Sequence, residues 1–161
     1  MWDLLKRSLK MGRLTEKHKE ENAPHLRSFQ QSWHIRHLDC GSCNGCDWEM
    51  NALLNPVYDL QRFGFDFVAS PRHGDILMCT GPMSTQLVQA AHETDAGMPK
   101  PKVIIAVGDC SIDGGVFKSA YGAKDGIEGT LKVDVEIPGC PPSPEQILDV
   151  LLQMKKEEYG F

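Results

Sequence analysis

The chain has 161 residues, 41% of them apolar and 24% charged, which suits one globular domain with a full core and leaves no room for two ordinary ones. A net charge of −5 offers no basic excess for phosphate, so nucleic acid is not an expected partner. No apolar run approaches the roughly 18 residues of a membrane span and no secretory leader opens the chain, so the expectation is a cytosolic setting in which thiols stay reduced.

Residues 1–22 differ from the rest of the chain. Trp2, Leu5 and Leu9 recur at helical spacing beside Leu4, with Lys6, Arg7, Lys10 and Arg13 on other faces. This predicts a basic amphipathic helix suited to a membrane surface or a partner, or else a plain surface arm. Residues 16–24 are polar and read as linker. The chain thus divides into an N-terminal helix and linker over 1–30 and an α/β domain over 31–161.

From Trp33 onward, short apolar runs end in Gly, Pro or Cys. Residues 34–38 alternate and read as a first strand. Residues 47–54 read as a short helix with Asp47 as N-cap and Pro56 beyond its end. Residues 65–69 are a second strand, stopped by Ser70-Pro71, and 76–80 a third, apolar throughout and so expected to be buried on both faces. Ser84 reads as the cap of a helix running to about Asp95. Residues 103–107 form the strongest strand, followed by a Gly-rich loop over 111–130. Residues 133–137 are the last strand. The final helix opens on Ser143-Pro144-Glu145-Gln146, a capping box with Pro at the first helical position, and carries the stripe Ile147, Leu148, Leu151, Leu152 and Met154. Strands alternating with helices predict an α/β fold, a flavodoxin-like doubly wound parallel sheet.

Six cysteines sit on this framework. Three occur in Cys40-Gly41-Ser42-Cys43-Asn44-Gly45-Cys46, just past the first strand, while Cys110 follows the fourth strand and Cys140 the fifth. Cysteines three apart on a Gly-rich turn pair poorly as disulfides, and the reducing compartment opposes them. In such sheets ligands bind beyond the carboxyl ends of the strands, so distant cysteines converge on one edge. Four thiolates suit zinc or an iron–sulfur cluster. Structural zinc sites use two tight pairs, whereas here one pair is tight and two cysteines arrive singly on Gly- and Pro-rich loops, which favours the cluster. Cys79, inside an apolar run, reads as a small core residue. Cys40/Cys43 and Cys43/Cys46 are equally spaced, with Cys46 favoured because it opens a helix. His34 and His37, near the same edge, could serve as ligands in principle, but their plain reading is polar positions of the first strand. A flavin at the same edge is a further reading, but Cys-Pro loops suit a phosphate poorly, and neither GxxxxGK[ST] nor a strand followed by GxGxxG is present.

Four motifs stand in order between His34 and Leu152: Cys43-Asn44-Gly45-Cys46-Asp47-Trp48-Glu49, Ser70-Pro71-Arg72-His73-Gly74-Asp75, Gly108-Asp109-Cys110 with Gly114-Gly115, and Pro138-Gly139-Cys140-Pro141-Pro142-Ser143-Pro144. Together they resemble the small iron–sulfur subunit of membrane-bound, energy-converting group 4 [NiFe] hydrogenases of the formate hydrogenlyase type. The wider family includes the 20 kDa subunit of respiratory complex I. The resemblance implies one [4Fe–4S] cluster held by Cys43, Cys46, Cys110 and Cys140, with Cys40 outside the ligand set. Complex I-type members look different at the first site, with two adjacent cysteines in place of C-x-x-C. Glu49, Arg72 and His73 are implied neighbours of the cluster, with ordinary surface charges as the plain reading of each.

The implied role is electron transfer beside a catalytic [NiFe] large subunit, with a ferredoxin-like polyferredoxin subunit and membrane-embedded complex I-like subunits as further partners. The implied location is the cytoplasmic face of the cell membrane. Formate or ferredoxin oxidation, proton reduction or hydrogen oxidation, and ion translocation are the implied activities of the whole complex. The alternative is a complex I-like subunit passing electrons to quinone, and a lesser one is a structural zinc module.

Overall fold

Runs that are apolar at every position belong in a layer covered on both faces, and such runs form the middle of the sheet. A computed structural model describes residues 32–159; the helix and linker expected over residues 1–30 lie outside them. Its strands are β1 (Trp33–Asp39), β2 (Phe65–Phe67), β3 (Ile76–Thr80), β4 (Val103–Val107) and β5 (Val135–Ile137). They form one parallel sheet in the order β2-β1-β3-β4-β5. Every residue of β3 is buried. The helices are α1 (Gly45–Ala52), α2 (Val88–Gly97), α3 (Asp109–Asp113) and α4 (Pro144–Tyr159). This is the doubly wound α/β sheet that the pattern predicts. Because the chain turns to opposite sides of β1, first to β2 and then to β3, the switch point lies at the carboxyl end of β1.

Alternation along each strand divides the core into two layers. Trp33, Ile35, Phe65, Ile76, Met78, Ile105, Val107 and Ile137 face α1 and α4, where Met50, Leu53, Ile147, Leu148 and Leu151 close the first layer. Trp33 and Phe65 meet edge to face with centroids 5.9 Å apart. Leu77, Cys79, Ile104 and Ala106 face the other way, onto Ala91 of α2 and onto Met83, Met98, Ile127 and Leu131. Fully burying one such side chain contributes about 1.5–3 kcal/mol.

Ends of elements show where local chemistry wins. The α4 capping box forms: Ser143 N–H donates to Gln146 Oε1 at 2.9 Å, and Gln146 N–H donates to Ser143 Oγ at 3.3 Å. Several boundaries differ from the expectation; β2 ends at Phe67, two residues short of the run read from the sequence. Ser84 does not cap α2, because its N–H donates to Cys40 O and the residue bridges Ala123 instead. β5 begins at Val135, because Ile104 N–H donates to the Asp134 carboxylate at 2.9 Å where a ladder carbonyl would serve. α1 begins at Gly45 with Asn44, at φ 67, in the N-cap position, so Asp47 is inside the helix and is not its cap. Within the Gly-rich loop, α3 and a 3-10 turn at Gly115–Phe117 were not expected.

Candidate metal centre

Every parallel strand delivers its carboxyl end to the same edge, and four of the cysteines lie just beyond that edge. β1 ends at Asp39, whose Oδ1 accepts the N–H groups of Gly41 and Ser42 at 2.9 and 2.7 Å and turns the chain sharply. Cys43 is exposed on this turn and Cys46 is half-buried in the first turn of α1. Cys110 is the second residue of α3, directly after β4, and Cys140 follows β5. The last two loops are stitched together: Gly108 N–H donates to Ile137 O at 2.8 Å, Asp109 N–H to Gly139 O at 2.9 Å, and Gly139 N–H to Asp109 Oδ1 at 2.7 Å.

These loops approach so closely that glycine is required. A Cβ on Gly108, at φ +87, would lie 2.5 Å from Cys46 Sγ and 3.3 Å from Gly139 O. A Cβ on Gly45 would touch Cys43 Sγ at 3.6 Å and Pro141 at 3.8 Å. The space over Gly108 is thus taken by the Cys46 sulfur, whereas Gly45 packs against Cys43 and Pro141 at ordinary contact distances. Four thiols that influence one another make a soft donor set that fits an iron–sulfur cluster. Among the described residues, no three of His, Cys, Asp and Glu are gathered in the tight geometry of a single metal ion.

The electrostatics of the set agree with its gathering. Burial pushes the Cys46 thiol up to about 11, reinforced by the Asp47 carboxylate and by Cys110, Cys43 and Cys140 in turn. Burial also raises Cys110, with Cys140, Cys43 and Asp109 adding to it, while the N–H of Val116 hydrogen-bonds the sulfur and pulls the other way. Cys46 thus feels the three other thiols and Cys110 feels two of them, although they come from three loops. Burial thus disfavours the Cys46 thiolate at neutral pH, so a metal held there would have to displace its proton.

Cys40 is not part of the group. It is fully buried in the second core layer beside Met83, and its thiol donates to Leu38 O at 3.7 Å. Cys79 lies in the same layer, its thiol raised by a hydrogen bond with Cys40 and by burial. It is a core residue, as its apolar surroundings imply.

Of the implied neighbours, Glu49 is half-buried on α1, one turn past Cys46. Arg72 and His73 are exposed on the 3-10 turn Pro71–His73 that leads into β3. That turn is at the edge where strands begin: Asp75 N–H donates to His34 O, and a Cβ on Gly74 would meet Arg36 and Met98. A five-residue strand is about 16 Å long, so the structure does not bring these two residues to the thiols. His34 is at the same starting edge, 3.4 Å from Asp75 Oδ2.

A polar group that sequence reasoning missed sits beside Cys46. His37 Nε2 lies 2.8 Å from Asp47 Oδ1, which also accepts Thr80 Oγ1 at 2.9 Å, and Ser42 Oγ donates to Asp47 Oδ2. Burial holds the His37 imidazole below its ordinary range, although Asp47 and Asp39 pull upward. The signal was a His and a Thr on adjoining strands, both on the α1 side. Next to the group a cleft of about 310 Å³ opens between α1 and the ends of β1 and β2, lined by Arg36, His37, Asp47, Met50, Asn51, Leu54, Phe67, Val68 and Ala69. Trp48 and Val116, 72% and 76% exposed, stand next to the cysteine loops.

Several known proteins are similar to this chain. The probable membrane-bound hydrogenase subunit mbhJ of Pyrococcus furiosus is 45% identical over 123 residues, covering 76% of this chain and 74% of that protein. Formate hydrogenlyase subunit 7 of Escherichia coli is 41% identical over 123 residues, covering 76% of this chain and 48% of its own length. A chain in the solved structure of the membrane-bound sulfane sulfur reductase, an archaeal respiratory membrane complex, superposes with a TM-score of 0.71 at 33% identity, over 84% of this chain and 76% of that one. The sequence model described as NADH ubiquinone oxidoreductase, 20 Kd subunit, matches residues 43–154, and the chain belongs to that family.

Proposed function

We propose that Cys43, Cys46, Cys110 and Cys140 hold one [4Fe–4S] cluster, and that the chain is the electron-transfer subunit beside the [NiFe] large subunit of a membrane-bound hydrogenase complex. The observation that carries this reading is that four thiols from three strand ends lie near enough for Cys46 to feel the other three, with Gly108 packed directly against the Cys46 sulfur. When bound, the cluster supplies one-electron transfer and no bond chemistry. This chain's residues supply the rest. Four thiolates would hold iron, the Val116 N–H directs a hydrogen bond at the Cys110 sulfur, and Gly108 lets backbone approach the Cys46 sulfur.

One tight C-x-x-C pair with two cysteines arriving singly on separate loops, in place of the two tight pairs of a structural zinc site, supports iron–sulfur over zinc. The exposed Trp48 and Val116 beside the site suit a large apolar partner rather than water. On this reading the partner carries the catalytic chemistry, and a polyferredoxin and membrane-embedded subunits complete an assembly at the cytoplasmic face of the membrane. Among the described residues no helix is long and apolar enough to cross a membrane. Attachment would then come through partners or residues 1–22, and deletion of 1–22 leaving membrane retention unchanged would remove that segment's role.

The test is anaerobic co-purification of the full chain with its partners, with iron and nickel quantified and the reduced protein examined by electron paramagnetic resonance. Iron at about four per chain in the subunit separated from its partners, together with a nickel-bearing large subunit in the co-purified complex, is the expected result. Colourless protein free of iron and loaded with zinc would sink it. One observation favours a second reading, a complex I-like subunit with quinone as acceptor. The cleft beside Asp47 joins polar residues to an apolar wall, as a quinone head and tail would require. Sensitivity of the purified complex to quinone-site inhibitors, without nickel, selects that reading.

A further inference from the structure

We propose that Asp47 is a positioning residue for the C-x-x-C turn, its carboxylate tying the loop that carries Cys43 to the ends of β1 and β3. The consequence for a metal centre rests on the cluster reading above, whereas the clamp itself rests on geometry alone. Asp47 Oδ2 accepts the Ser42 hydroxyl. Its Oδ1 accepts Thr80 Oγ1 at 2.9 Å and lies 2.8 Å from His37 Nε2, which is also 3.0 Å from Thr80 Oγ1. Ser42 Oγ accepts the N–H of Asn44 at 3.2 Å, and Asp39 holds the N–H of Ser42 at 2.7 Å.

Cys43 stands between Ser42 and Asn44, so one hydroxyl fixes the backbone on both sides of it, and Asp47 fixes the hydroxyl. The Asp47 side chain is only 14% exposed, so water cannot readily replace the carboxylate as the shared acceptor of three groups. A carboxylate that merely favoured the helix N-terminus through the dipole would need none of these partners. Asp47 also sets a negative charge one residue from Cys46, beside a centre that is itself anionic when four thiolates hold it.

The experiment uses the full chain, metal-free and anaerobically reconstituted, as wild type, Asp47→Ala and Asp47→Asn. In the metal-free chain, amide hydrogen exchange over residues 40–48 accelerates about tenfold in Asp47→Ala, the size expected for losing a charge-assisted network. Asp47→Asn, which keeps the shape and one of the two acceptor oxygens, leaves exchange between wild type and Asp47→Ala. In reconstituted protein Asp47→Ala gives a heterogeneous resonance signal and low iron content. Asp47→Asn restores wild-type g-values but shifts the midpoint potential positive, because a negative charge has gone. If Asp47→Ala does not fold, Thr80→Val, which removes one donor, takes its place with about threefold faster exchange. Unchanged exchange in Asp47→Ala or its substitute overturns the clamp, even if iron binding fails. A wild-type chain that takes up no iron overturns the cluster reading instead, and the exchange comparison still decides the clamp.

Discussion

Gly108→Ala tests the site more sharply than the loss of a cysteine, because it removes no ligand. Gly108 sits at φ 87 and ψ 154, a region in which a side chain costs about 1–3 kcal/mol whatever surrounds it. Its new Cβ would also lie 2.5 Å from Cys46 Sγ. In the metal-free chain Cys46 can swing its thiol to another rotamer, so backbone strain dominates and melting falls by about 2–4 °C per kcal/mol. With iron bound that sulfur is fixed, and overpacking adds about 1–3 kcal/mol. Since each 1.4 kcal/mol is tenfold, iron retention weakens by roughly tenfold to a hundredfold beyond the strain. Gly122→Ala is the control: it stands at φ +110 with nothing within 4 Å of its Cβ, so it suffers strain without a clash. The assays are thermal melting of the metal-free chains and the rate of iron loss to a chelator under anaerobic conditions. If Gly108→Ala holds iron as tightly as Gly122→Ala, the space above Gly108 is not reserved for a fixed sulfur and the reasoning fails.

Serine at Cys43, Cys46, Cys110 or Cys140 is expected to abolish the cluster absorbance, whereas Cys40→Ser keeps it because Cys40 lies in the second core layer; loss in Cys40→Ser with retention in Cys46→Ser reverses the assignment. Leu151→Ala, at a fully buried position of α4, should destabilise the domain by about 2–5 kcal/mol in urea titrations, and Leu152→Ala, only half-buried, by clearly less. His37 is held below its ordinary 6.5 by burial, so the unfolded chain takes up a proton more readily. Its contribution is therefore intact above about pH 6.5 and is lost as acidification approaches the lower folded value. Urea midpoints should fall more between pH 7.5 and 5.5 for wild type than for His37→Gln, and equal falls would remove His37 from the account.

β3 and β4 were legible to the residue because burial on both faces leaves no polar position to blur their ends. The α4 start was legible because a capping box is chemistry between near neighbours. What was not legible depended on partners distant in sequence. The Asp134 carboxylate takes over a ladder acceptor's place, 30 residues from Ile104. α3 is five residues long and stands in a loop that reads as glycine-rich coil, held by bonds between the Cys110 and Cys140 loops. Asp47 looked like an N-cap because its three partners, Ser42, Thr80 and His37, come together only when β1 and β3 pair.

Two elementary rules would have resolved the residues that motif order left open. A strand alternates faces, so Ile35, His37 and Asp39 point toward α1 while Leu38 and then Cys40 point into the second layer. Equal spacing in sequence made Cys40 and Cys46 equivalent partners for Cys43, and strand parity makes them unequal. In a parallel sheet, a residue just after a strand lies at the carboxyl edge and a residue just before one lies at the opposite edge. Cys43, Cys46, Cys110 and Cys140 all come after strands. Arg72 and His73 precede β3, so the parity of the crossover carries them away from the thiols although they sit inside a family motif. The same rule admits Thr80, the last residue of β3, which no motif singles out and which reaches Asp47 beside Cys46.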